Sequence, residues 1–315
     1  MKKITPVLLL ATVLFGCGQQ KKAPIKKAAH ASNNAPLFHY GNPVLVQYDR
    51  YIAGLDTQLI NMGSQAVDTF EVFFALFKSQ PPEVCDTAFY IFNQFHSRLT
   101  NYLNWHMEAD SINYEEIAYG TDMEGKKAML SKKQKARKKA LDKNGIYLNS
   151  EEGSAYMEQD QHFIAQRFGK FVTAPMKQYL AQLDKEQKEG FGEDGGLTIS
   201  ATTLADRTIW WEQFSKANPN FLYATDAAKA YRFMLYSLME GSENTSVRAY
   251  ISNNLSEDSL SEYFHTAWSY VQEKYPQSNA NRVITPHLNA WLKRDSAEIM
   301  QVLENFNKEY KSPWE

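Results

Sequence analysis

The sequence predicts an all-α fold, a multi-helix bundle or stacked helical hairpins, and three features carry that reading. Apolar residues recur at steps of three and four through most of the chain, so each run presents one apolar stripe on a helix. Proline, glycine and capping residues fall between those runs, where helices should start and stop. Leu197-Thr198-Ile199 has β-propensity but is too short to argue for a sheet.

Taken in order, Asn42-Pro43 is a helix start, with proline in the first turn. Leu45, Tyr48, Ile52, Leu55, Leu59 and Met62 continue the stripe, and Gly63 breaks or bends it. Phe70, Phe73, Phe74 and Phe77 form the next apolar face, closed by Pro81-Pro82, which also opens the following helix. There, Val84, Ala88, Ile91, Phe95, Leu99, Tyr102 and His106 are one stripe, widened by Cys85, Phe89, Phe92 and Leu103. A face that wide packs on more than one neighbour.

Residues 122–150 differ: nine Lys or Arg fall between Lys126 and Lys143, which reads as an exposed basic helix with a turn at Asn144-Gly145. Helices are expected again over 155–168 and 172–183, followed by a glycine-rich, acidic loop over 191–196. Asn218-Pro219-Asn220 separates two further helices. The second is capped by Thr225 or Asp226, apolar nearly all round from Ala230 to Met239, and ended at Gly241. Ser259 with Glu262 fits a capping box, and Asp295 with Glu298 resembles one. The organisation expected is a leader over 1–16, a tether over 17–43 and a helical domain over 44–315. That domain divides, on this reading, into subdomains 44–121 and 151–315 joined by the basic segment 122–150.

The N-terminus has its own logic. Lys2 and Lys3 precede an apolar stretch from Ile4 to Phe15 that is shorter than the roughly 20 residues a membrane span needs, the pattern of a secretory signal. The chain then reads Leu14-Phe15-Gly16-Cys17, which resembles the lipobox of bacterial lipoproteins. That resemblance implies cleavage before Cys17 and acylation of its thiol, so that the mature chain is held to a membrane without crossing it. It also implies, from Gly18 in place of an aspartate, sorting to the outer membrane. The basic Gln19-Gln20-Lys21-Lys22 then favours the periplasmic side over the cell surface. Cys85 would be the one thiol left, excluding an intramolecular disulfide, and its place on an apolar face predicts burial.

Charge is segregated. The tether carries Lys21, Lys22, Lys26 and Lys27 and no acid, whereas residues 44–315 hold 28 basic against 36 acidic residues, a net of −8. An acidic body argues against nucleic acid as a partner. The tether is poor in core-forming residues and is expected to be disordered.

Constellations with chemical potential are few. His106 and Asp110 are four apart, a spacing that can hold a metal, but two ligands do not make a site. Asp142, Asn144 and Glu151 fall on three positions of a calcium loop turned at Gly145, with Ala140 on the first ligand position. Cys85 near a helix start would need a histidine, and His96 along the same helix is about 16 Å away. No GxSxG, P-loop or GxGxxG motif is present, and no cofactor is implied. Adjacent Trp210 and Trp211 read as core-edge residues or as a platform for a sugar or protein. With Lys132, Lys133 and Arg137 of the basic stretch, they are the candidate partner contacts. The function expected is that of a non-catalytic, membrane-anchored helical lipoprotein binding a protein or glycan in the bacterial envelope. The alternative is an envelope hydrolase whose catalytic residues are scattered in sequence.

Overall fold

In the computed structural model, residues 41–55, 65–121, 126–249 and 259–310 are described, and they hold twelve α-helices and four small antiparallel hairpins or strand pairs. The expected leader over 1–16, Cys17 and most of the expected tether lie outside the described residues, as do Leu59, Met62 and Gly63.

Helix α1 (Pro43–Ala53) begins as its sequence dictates, with the Asn42 side chain accepting from the Val44 amide and proline in the first turn. Leu45, Tyr48 and Ile52 are its buried face. Helix α2 (Gln65–Phe77) and helix α3 (Pro82–Trp105) pack on α1 and on each other. Alpha-3 buries ten side chains, from Cys85 to Leu103, which is the wide face expected. Then come a 3-10 turn (Met107–Asp110), helix α4 (Tyr114–Tyr119) and the basic helix α5 (Lys132–Lys143). The start of α5 is a full capping box, Ser131 with Gln134.

The structure corrects the reading of residues 155–168 as one helix. Strands β1 (Ile146–Glu151) and β2 (Ser154–Gln159) form a hairpin, and helix α6 (Gln161–Phe168) starts only after Asp160 caps it. The turn residues Glu152 and Gly153 both have positive φ, the conformation that matches the twist of a two-residue hairpin. Leu148 pairs with Met157 on the face turned to the core, while Tyr147 opposite Glu158 is exposed. The hairpin packs through β2 on α3 and through β1 on α4 and α5.

Helix α7 (Ala174–Glu189) follows, capped by Thr173. The expected loop over 191–196 is in fact a minimal hairpin, β3 (Gly192–Glu193) with β4 (Gly196–Leu197), around a positive-φ Asp194-Gly195 turn. Helix α8 (Ala201–Ala217) and helix α9 (Ala224–Glu240) form the most intimate helix pair. Alpha-9 starts one residue before Thr225, after Tyr223 and without a side-chain cap, so the capping role expected of Thr225 or Asp226 is not realised. Asp226 instead sits in the first turn, where a carboxylate still complements the helix dipole.

Two further pairs, β5 (Gly241–Ser242) with β6 (Thr245–Ser246) and β7 (Arg248–Ala249) with β8 (Ser259–Leu260), lead to helix α10 (Glu262–Lys274). Ser259 lies in β8, and the N-cap position is taken by Ser261, so the Ser259–Glu262 box is not formed. Helix α11 (Asn279–Lys293) and helix α12 (Ser296–Tyr310) end the chain's described part. Asp295 does cap α12, accepting from the amides of Ala297 and Glu298.

One apolar cluster runs from Leu45 to Phe306. Phe168 is its aromatic hub, with ring centroids 4.6–5.2 Å from Phe70, Phe73, Phe89 and Phe92. Tyr223 carries the core onward, touching Phe89 and Tyr90 on one side and stacking on Tyr179 at 5.3 Å on the other.

Candidate functional site

The sequence candidates separate sharply once side chains are placed. Trp211 is 1% exposed, and its indole N–H donates to Glu186 at 2.8 Å. It is a core residue and offers a partner nothing. Trp210 is half-buried and lies parallel to Phe214 with centroids 4.9 Å apart, so one ring face is already covered. Adjacent helical residues diverge by about 100°, and the two rings meet edge-to-face at 4.8 Å, with Trp211 also edge-on to Tyr179 and Phe214. A sugar-stacking platform made of both rings does not form.

Cys85 is buried, with its thiol directed to the Phe77 carbonyl. Burial, and then the carboxylates of Asp86 and Glu83, push its pKa up to about 11, the opposite of what a nucleophile needs. His96 is wholly buried, and its ring is occupied: Nε2 lies 2.8 Å from the Asn144 carbonyl and Nδ1 lies 3.1 Å from the Gln159 amide nitrogen. His106, expected on the apolar stripe, is exposed instead, because α3 ends at Trp105 and His106 is its C-cap. The chain continues as a 3-10 turn, so His106 and Asp110 do not share an α-helical face.

The calcium-loop alignment also dissolves. Asn144 Oδ1 accepts from the Ala66 amide, its Nδ2 donates to the Ala140 carbonyl, and Asp142 pairs with Lys138 at 3.0 Å. Gly145 turns directly into β1, so no ligand loop exists there. Among the described residues no group of three His, Cys, Asp or Glu side chains is placed to hold a metal.

Sequence reasoning missed one polar cleft. It has a volume of about 710 Å³ and draws Glu212 from α8, Tyr231 from α9, and Asn279 and Arg282 from α11. These four residues span 70 positions, which is why no motif announces them. Their polar atoms are engaged with each other. Glu212 accepts from the backbone amides of Asn279 and Ala280, at 2.6 and 2.9 Å, and so satisfies the first turn of α11. Asn279 donates to the hydroxyls of Tyr231 and Tyr310, and its Oδ1 accepts from Arg282 Nε. Arg282 closes the network on Glu309 of α12. A carboxylate held by two amides at a positive helix end is a staple between helices, with its oxygens already engaged.

What remains open is surface. Lys132 and Lys133 are exposed on α5, and Arg137 is half-buried on its inner side. The two most exposed large apolar side chains among the described residues are Trp105, at 85%, and Met129, at 97%. Tryptophan and methionine are among the side chains enriched at protein interfaces. Compared with known protein families, with curated proteins and with solved structures, the chain matches none.

Proposed function

We propose that this chain is a lipid-anchored, non-catalytic helical protein that binds a partner protein at the periplasmic face of a bacterial outer membrane. The single observation that carries the binding half is Trp105, which ends α3 almost fully in solvent. An indole costs free energy when left hydrated, and tryptophan is the side chain most enriched at binding hot spots. The anchored half rests on the Gly16-Cys17 junction and the short apolar run before it. A protein is favoured over a glycan because the paired tryptophan platform is absent, with Trp211 in the core and Trp210 against Phe214.

The anchoring test is Cys17→Ala, which abolishes fatty-acid labelling and leaves the precursor uncleaved; labelling at the wild-type level would refute it. The binding test places a photo-crosslinking residue at Trp105 or, as a control, at Lys216 in the polar cleft, in intact envelopes. A discrete protein adduct from position 105 and none from 216 is expected. An adduct confined to position 216 would move the function to the cleft.

A further inference from the structure

Alpha-5 sorts its cations into two groups. Lys138 pairs with Asp142, and Lys133 and Arg137 make their own interactions. Lys132, Lys135, Lys139 and Lys143 are exposed, and none of the four has an ion-pair partner among the described residues. Their spacing of three, four and four sets them on one line of the helix, about 16 Å long at 1.5 Å per residue. Like charges at those steps repel, and no core burial offsets it on that line: the helix rests on the protein through Gln134 and Leu141. Met129, just before the Ser131 cap, adds a wholly exposed flexible apolar side chain at one end of the row.

We propose that this row of four ammonium groups lies on anionic phospholipid headgroups, with Met129 at the interface, and so sets the orientation of the anchored domain. The proposal rests on the anchoring reading above. The 25 residues between Cys17 and Pro43 have a contour length of at most ~90 Å, more than the width of a domain of this size, so chain length alone selects no face. Charge then chooses the face. The domain is acidic elsewhere, and those surfaces are repelled by the same headgroups that attract α5. Each lysine near such a surface raises local partitioning about fivefold, so four together give on the order of several hundredfold. Exposed charges are screened over about 10 Å at 0.1 M salt, which makes the contact salt-sensitive. A straight row of unpaired cations beside a flexible apolar side chain suits a fluid, laterally uniform surface; an acidic protein partner would be matched by pairing at fixed positions.

The test uses the full lipidated protein bearing Met129→Cys, labelled with a polarity-sensitive fluorophore; buried Cys85 stays unlabelled. Met300→Cys on α12, 59% exposed, is the control position. Vesicles are of phosphatidylcholine alone or of phosphatidylethanolamine with phosphatidylglycerol. The protein should float with both, while the label at 129 shifts to the blue only in the anionic vesicles. That shift should vanish at 0.5 M salt and in the Lys132→Gln, Lys135→Gln, Lys139→Gln, Lys143→Gln variant, with the label at 300 unchanged throughout. Flotation with both vesicle types and identical spectra at 129 overturns the proposal, as do equal shifts at 129 and 300. Failure to float with neutral vesicles refutes the anchor instead. In that case low-salt flotation with anionic vesicles alone, lost in the quadruple variant, supports the row, and no flotation at all overturns it.

Discussion

The imidazole of His96 donates from Nε2 to the main-chain carbonyl of Asn144, 2.8 Å away, and this one contact ties the middle of α3 to the C-terminus of α5. Gln159 of β2 donates to the other ring nitrogen, which fixes the tautomer. Asn144 in turn receives the Ala66 amide at the start of α2. Three segments thus meet at one buried imidazole, and Asn144 extends the connection to a fourth. Replacing His96 by Phe keeps the ring volume and its stacking on Phe92 but strands a carbonyl and an amide. A loss of about 2–4 kcal/mol in urea unfolding is expected. A loss below 0.5 kcal/mol would show that the contact is dispensable.

Burial depresses the pKa of His96 to about 4, against smaller opposing effects of the Asn144 carbonyl and Asp160, and burial alone does the same to His287. In both cases the unfolded chain binds a proton, near pH 6.5, that the folded protein refuses. Stability therefore falls as pH drops below about 6.5 and continues to fall until about 4. Each histidine contributes a slope of up to about 1.4 kcal/mol per pH unit. Denaturant titrations at pH 7.5, 6 and 5 should show that decline, with a shallower slope in His96→Phe. Equal slopes in the two proteins would remove His96 from the account.

Gly145 combines a φ of +66° with a neighbour: an added Cβ would lie 2.4–2.9 Å from three ring atoms of Phe163. Gly120 has the same φ and open space around it. Gly145→Ala should cost about 2–4 kcal/mol, and Gly120→Ala only about 1–2, because the first adds overpacking to left-handed strain. Thermal melts of the two variants decide this, and equal losses would mean that the hairpin base can relax.

Cys85 should react slowly. With burial first, and Asp86 and Glu83 beside it, its thiolate at pH 8 is about two orders of magnitude scarcer than that of a free cysteine. A thiol reagent is expected to label it at least a hundredfold faster in urea than in buffer. Comparable rates would mean that α3 opens readily at its N-terminus.

Glu212 links α8 to the first turn of α11. Glu212→Ala should destabilise by about 2–3 kcal/mol, since two hydrogen bonds to a charged acceptor are lost and a helix end is left unsatisfied. Glu212→Gln, which keeps one acceptor oxygen, should lose about half as much. A full-length variant that melts like the wild type would return Glu212 to the list of groups free for binding.

The residues themselves determined the helical architecture and the starts of α1, α3 and α12. Asn42-Pro43, Pro81-Pro82 and Asp295 act through neighbours three residues away or fewer, and the stripes on α1 and α3 depend only on the pitch of a helix. They also placed Cys85 in the core and α5 in solvent. The β1–β2 hairpin was hidden because its alternation, Ile146 with Leu148 and Ala155 with Met157, lasts only a few residues. Over so short a run, steps of two cannot be told from the mixed steps of a helix end. His106 was misplaced by extending a periodic stripe one residue past the end of α3, which chain geometry at a cap, not periodicity, decides. Which of two adjacent tryptophans is buried, which cations of the basic run stay unpaired, and that Glu212 meets α11 are all set by contacts between segments far apart in sequence. Those contacts depend on how the helices pack, and no local pattern encodes them.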